Sequence, residues 1–195
     1  MQIEMRSLTG PEILAAAGAL ADLRMRVFAE WPYLYDGDPA YEREYLREFV
    51  AAPDGVLVAA CEGTRIVGAA TASPMTAQKA EIRAPFEARG IDTGCLFYFG
   101  ESVLLREYRG QGIGHAFFDH REAQARACGA QAATFAAVVR PDDHPRRPPG
   151  HVPLDEFWRK RGYAPVPGLV TRLGWKDHDE PGETDKPMQY WLRRF

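Results

Sequence analysis

Arg109, Gly110, Gly112 and Gly114 are the residues whose types and spacing point most directly to chemistry. They sit in the stretch Leu96–Gly129, which reads as a strand, a glycine-rich bend and a long helix. The strand, Leu96–Leu105, is rich in aromatic and branched residues. The helix runs from about Gly112 to Cys128. The first N–H groups of such a helix have no partner inside it, and glycines let an anion approach them without a Cβ in the way. The helix dipole favours negative charge at the same place. The stretch is therefore suited to hold a phosphate or pyrophosphate, and Arg109 adds a charge-assisted donor.

The spacing excludes two phosphate loops. A P-loop needs a Lys after its last glycine, and none follows here. A dinucleotide fingerprint needs Gly-x-Gly-x-x-Gly directly after its strand. Here Gly110, Gly112 and Gly114 give Gly-x-Gly-x-Gly, and Arg106-Glu107-Tyr108-Arg109 intervene.

Arg109-Gly110-Gln111-Gly112-Ile113-Gly114 does resemble the acyl-CoA loop of the GNAT superfamily of N-acetyltransferases, whose motif is Arg/Gln-x-x-Gly-x-Gly/Ala. The apolar strand Val103-Leu104-Leu105 before it and the amphipathic helix after it fit as well. The run from Phe157-Trp158 to Gly162-Tyr163 is similar to that family's second motif, which closes the cofactor cleft. The resemblance covers about Gly55 to Tyr163, and the ends only by order of elements. It implies a mixed α/β (α+β type), mostly antiparallel sheet of six to seven strands with helices on both faces. It implies acetyl-CoA as cosubstrate, no metal, and direct transfer to an amine without a covalent enzyme intermediate. The pantetheine arm would pair with the backbone of Val103, Leu104 and Leu105, and the diphosphate would sit on residues 109–114. His115 would touch the ribose or phosphate side and Trp158 the cofactor cleft.

Acetyl transfer needs a deprotonated amine, a polarised thioester carbonyl and a stabilised thiolate. Glu101, on the central strand one layer before the pantetheine residues, is the candidate base if the pleat turns it to the cleft. The acid departs from the family pattern. Trp158 stands where many members carry a tyrosine, so Tyr163 and Tyr98 remain as alternatives beside solvent. The frequent asparagine after the fifth strand is replaced by a proline-rich segment. Trp31, Tyr33, Tyr35 and Asp36 lie on an aromatic loop that in this family borders the acceptor site, and Tyr98 is a further acceptor-site candidate. His120, among apolar helix positions, reads as a satisfied core histidine, and Cys95 as a small buried hydrophobe.

These residues need elements to place them. Gln2–Leu8 alternates and reads as an edge strand. Thr9 caps a helix that continues to about Phe28. Tyr41–Ala51 is a second helix. Gly55–Cys61 and Arg65–Ala72 form a hairpin about Gly63. Ser73–Thr93 is less regular, with a helix near Ala84–Arg89 ended by Gly90. After the central helix come a buried strand, Gln131–Val139, and a segment whose five prolines between 141 and 153 forbid regular structure. That segment reads as a rigid solvated loop, although Asp142, Asp143 and His144 could face a cation. A short helix, Leu154–Arg161, precedes strands Leu169–Trp175 and Met188–Phe195, joined by the charged loop Lys176–Lys186.

The 195 residues suit one domain. A net charge of −3 offers no basic field for nucleic acid, and no apolar run spans a bilayer. Three cysteines at wide spacing argue against a disulfide framework or zinc site, and weakly for a cytoplasmic setting. The expected partner is a small-molecule or peptide amine, with the chain a monomer or homodimer. Two other readings stay open: a non-catalytic acyl-CoA sensor on the same fold, and a nucleotide-phosphate enzyme supported only by the glycine loop.

Overall fold

The computed structural model describes residues 3–195. Twelve longer elements follow in order: β1 (Ile3–Leu8), α1 (Pro11–Phe28), α2 (Pro39–Ala51), β2 (Val56–Glu62), β3 (Arg65–Pro74), α3 (Ala80–Glu87), β4 (Leu96–Leu104), α4 (Ile113–Ala127), β5 (Ala132–Val138), α5 (Asp155–Lys160), β6 (Ala164–Trp175) and β7 (Thr184–Arg194). The described strands form a seven-stranded sheet in the order β1-β2-β3-β4-β5-β7-β6. All pairings are antiparallel except β4 with β5.

The expected order of elements is present, with local corrections. Gln2, the first residue of the expected edge strand, lies outside the described residues. Gly10, not Thr9, stands at the N-cap of α1, in a positive-φ conformation that a side-chain cap does not adopt. The Thr9 N–H is instead satisfied by Glu12 Oε2 at 3.3 Å. Asp38 caps α2 by accepting from the Ala40 N–H, which starts that helix at Pro39. α3 begins at Ala80 rather than Ala84, and Pro85 lies inside it. β6 and β7 begin earlier than the sequence suggests, at Ala164 and Thr184.

Side chains on the two faces of β4 show which layer each helix occupies. Phe99 packs edge-on against Phe118 of α4, and Gly68 of β3 faces Phe117. On the opposite face, Gly100 faces Tyr45 of α2, and Tyr98 packs in the cluster that holds Ile82 and Phe86 of α3. Thus α1, α2 and α3 cover one face and α4 the other. The main apolar cluster runs through β2, β3 and β4, where Val58, Ala59, Ala69 and Val103 are fully buried.

Candidate active site

β4 and β5 are neighbours in the sheet but pair only at Leu96–Ala132, Phe97–Ala133 and Tyr98–Thr134. Beyond those rungs β5 continues with β7 from Ala132 to Val138. β4 keeps pairing with β3 as far as Leu104. The two parallel strands therefore part after Tyr98, and the β5-side edge of residues 99–104 is left without a strand. Sheet edges need partners for their N–H and C=O groups. An extended ligand arm is one such partner.

The open edge leads to the mouth of α4. Gly112 is the N-cap residue, at φ 83°, and carries no side-chain cap. Gly110, at φ 77°, also takes the left-handed conformation that glycine tolerates. Among the described residues, the N–H groups of Gly110, Gln111, Gly112, Ile113 and Gly114 make no hydrogen bond. Gly110, Gln111 and Gly112 are exposed. Five unpaired amides at the positive end of a fifteen-residue helix are suited to hold an anion. Exposed His115 packs its ring 4.8 Å from Phe157 at the start of α5.

Arg109 does not point its side chain into that mouth. Its Nε donates to Leu104 O at 3.1 Å, and its Nη1 lies 2.9 Å from Glu30 Oε2. In this arrangement the donor that the sequence reading assigns to the anion is engaged by Leu104 O and Glu30. It also gives the Leu104 carbonyl a partner. Val103 and Leu105 are buried, and the Leu105 N–H already donates to Val67 O at 3.1 Å.

A bulge sets Glu101. The β3–β4 register shifts between Ala70, opposite Ser102, and Ala72, opposite Phe99. Gly100 and Glu101 thus share the place opposite Thr71. Strict alternation would put Glu101 with Phe97 and Phe99, facing α4. The bulge turns it to the α1–α2 face. There its Oε2 lies 3.1 Å from Arg24 Nη1 and accepts the Tyr45 hydroxyl. Arg24 in turn lies 2.5 Å from Glu42 Oε2 through Nε, with its guanidinium 3.9 Å above the Tyr45 ring. Burial works against the Arg24 charge, but Glu101, Tyr45 and Glu42 outweigh it and raise its pKa. Burial and the adjacent Glu101 hold the Tyr45 phenol well above its usual range. Arg121 of α4 donates to Thr71 O at 3.4 Å, bracing the bulge from behind. Its own burial lowers its pKa to about 10.

Tyr33 and Tyr98 belong to the Glu101 neighbourhood. Burial, with Glu101 adding to it, pushes Tyr33 up to about 12 and raises Tyr98 strongly. Tyr33 stacks near Phe28 and Trp175, and its carbonyl accepts from Arg140 and Trp175. Tyr35 is buried, paired in a bridge with Asp177, and its hydroxyl accepts the Asp38 N–H. Burial pushes its pKa up to about 12. Asp36 is engaged by Lys176 at 2.6 Å, which lowers its pKa. Trp31 is not an open wall: His144 and His151 of the proline-rich segment lie 5.0 and 6.0 Å from its ring. That segment is anchored by Arg140, whose Nη1 is 2.8 Å from Asp177 Oδ2 in a buried pair.

Tyr163 lies on the other side of the sheet. Its ring packs among Phe99, Phe118 and Phe135, and its hydroxyl donates to Glu122 Oε1 at 3.1 Å. Burial and Glu122 raise its pKa far above the phenol range. The sheet thus separates it from Glu101. Trp158 packs 5.0 Å from both Phe135 and Trp191. His120 is hydrogen-bonded to Ser7 Oγ at 2.8 Å but only half-buried, so it is satisfied without being the core histidine the sequence suggests. Cys95 is partly exposed and donates to Asp92 O.

The sequence reading missed Arg24, Glu42, Tyr45 and Arg121. Arg24 and Glu42 carry a readable signal: each is a charge at helical spacing with buried apolar residues, Leu20 for one, Leu46 and Phe49 for the other.

A model of the acetyltransferase (GNAT) family matches residues 22–148. The chain belongs to that family. Solved GNAT structures share the fold at low identity. An aminoglycoside 6′-N-acetyltransferase complexed with coenzyme A is 17% identical, with TM-score 0.60 over 100% of this chain and 97% of that one. A GCN5-related N-acetyltransferase from Kribbella flavida is 14% identical, with TM-score 0.59 over 99% and 98%. A ribosomal-protein-alanine N-acetyltransferase from Brucella melitensis is 14% identical, with TM-score 0.59 over 98% and 99%. No curated protein matches the sequence. No helix among the described residues is long and apolar enough to cross a membrane.

Proposed function

We propose that the chain transfers an acetyl group from acetyl-CoA to the amine of a small-molecule or peptide acceptor. The observation that supports this most is the parting of β4 and β5 after Tyr98, together with five unpaired amides where the chain from β4 enters α4. The amides would hold the diphosphate, and the β4 edge would carry the pantetheine arm and offer an N–H to the thioester carbonyl. Acetyl-CoA supplies the activated acyl group. Glu101 is the base: it takes a proton from the acceptor ammonium, the neutral amine attacks the carbonyl carbon, and the C–S bond breaks. With Tyr163 bonded to Glu122 on the far face, the second proton of the attacking nitrogen passes to the thiolate through solvent or by way of Tyr98, which is restored by it. Tyr33 and Tyr98 would flank the acceptor. The reading takes residues 1–195 as one domain in a cytoplasmic setting, and needs no metal.

A second reading, a non-catalytic acyl-CoA sensor, has one observation in its favour: Glu101 is already engaged by a buried arginine and by the Tyr45 hydroxyl. A turnover screen of amines, amino acids and peptides with acetyl-CoA and a thiol-detecting reagent separates the two. Thiol release with an acceptor supports transfer. Saturable acetyl-CoA binding without release from any acceptor supports the sensor.

A further inference from the structure

The two carboxylate oxygens of Glu101 have different surroundings. Oε2 accepts the Tyr45 hydroxyl and lies 3.1 Å from Arg24 Nη1. Oε1 is buried and has no hydrogen-bond partner among the described residues. Arg24 is fixed on several sides: by Glu42 at 2.5 Å, by the Tyr45 ring beneath its guanidinium at 3.9 Å, and by Phe28 at 5.2 Å. A guanidinium gripped this way has little freedom to turn, so the oxygen it holds is set. A buried carboxylate oxygen without a donor is costly, and sites keep such an atom where a ligand completes it.

We propose that Arg24 and Tyr45 are positioning residues for Glu101. By occupying Oε2, they leave Oε1 as the oxygen that meets the acceptor ammonium and takes its proton. This rests on the acetyl-transfer reading above. One proton passes from the ammonium nitrogen to Oε1, and the nitrogen lone pair forms the new C–N bond. The C–S bond breaks as the nitrogen gives up its second proton, which protonates the leaving thiolate through solvent. The proton on Oε1 leaves to solvent as products depart. The ionisable groups around Glu101 are Arg24 on α1 and Tyr45 on α2, which touch it, with Tyr33 on the α1–α2 connection and Tyr98 on β4 nearby; Glu42 acts on it through Arg24, and Arg121 of α4 lies behind the sheet. Tyr45 donates directly to the carboxylate and Arg24 pairs with it.

Tyr45→Phe tests the role, because it keeps the ring under Arg24 and removes only the hydroxyl. With an acceptor found in the screen, kcat falls roughly tenfold or more, a sizeable part of a general-base contribution, while KM for acetyl-CoA is unchanged. The acidic limb of the kcat/KM profile moves to higher pH, since a carboxylate that loses a donor binds its proton more tightly. Glu101→Gln sets the floor. A Tyr45→Phe enzyme with wild-type kcat and pH profile beside an inactive Glu101→Gln overturns the positioning role and leaves the base in place. A fully active Glu101→Gln overturns both, while acetyl-CoA binding reports separately on the transferase reading. An acceptor-free readout is the ¹³C carboxyl resonance that disappears in Glu101→Gln. Its titration midpoint rises in Tyr45→Phe, and an unmoved midpoint contradicts the proposal.

Discussion

Arg109 Nη1 lies 2.9 Å from Glu30 Oε2, so the arginine that opens the glycine loop is tied to the residue next to Trp31 on the α1–α2 connection. The pair joins the proposed coenzyme loop to the proposed acceptor loop. Both side chains are about 40% exposed, at 40% and 42%, so the link is a weak one. Glu30→Gln releases Arg109 towards the anion site. An exposed pair of this kind is worth about 0–1 kcal/mol. The expected outcome in calorimetry is a coenzyme A affinity raised by at most about fivefold, the size of that pair, with the gain lost at high salt.

Gly112 separates folding from binding. Its φ of 83° strains any residue with a Cβ, yet a Cβ there meets nothing within 4 Å. Gly112→Ala therefore folds, at a cost of about 1–2 kcal/mol read from urea unfolding. Its methyl group adds bulk and strain at the mouth of α4, so acetyl-CoA affinity falls by roughly tenfold, equivalent to one weakened charged hydrogen bond.

Arg140 holds three loops together. It donates to Pro32 O and Tyr33 O and pairs with Asp177, while Lys186 lies 3.4 Å from the same carboxylate. Removing one partner of a buried pair costs about 3–5 kcal/mol, and the remaining Lys186 puts Arg140→Ala near the low end. Urea unfolding should show that loss. Hydrogen exchange should rise at residues 31–36 and 140–151 before it rises in β2–β4.

Glu180 gives the acid dependence a definite sign. Burial alone would raise its pKa, but hydrogen bonds from Lys186, the Asp177 N–H and Thr184 bring it down to about 2. A carboxylate depressed in the folded state adds stability that is present above its unfolded value of 4.5 and is lost as pH falls towards 2. The urea midpoint of the wild type should therefore drop more steeply between those pH values than that of Glu180→Gln. Parallel curves would contradict the assignment.

Much of the fold was legible because it is local. The Gly63 hairpin, the order of elements and the glycine bend before α4 are each carried by residues close in the chain. The site was less so because its geometry depends on partners far apart. Glu101 has the parity of Phe97 and Phe99, and only the Gly100–Glu101 bulge brings it to the face of Arg24. The motif reads Arg109 as a phosphate donor, but Glu30 and Leu104 O compete for its guanidinium. Trp31 looked available on its loop until the proline-rich segment folded His144 and His151 over it. The glycines of the loop needed no such partner, since glycine permits the positive φ of Gly110 and Gly112 and a helix start leaves its first amides unpaired.

The central claim is that the free amides of residues 110–114 grip the diphosphate of an acyl coenzyme. Calorimetric titration of wild type and Gly112→Asp with acetyl-CoA tests it most directly. The account predicts saturable binding to the wild type and a loss of at least about 100-fold in the variant, whose carboxylate meets the same amides and repels the phosphates. Equal affinity in both proteins, or no saturable binding to the wild type, would contradict it.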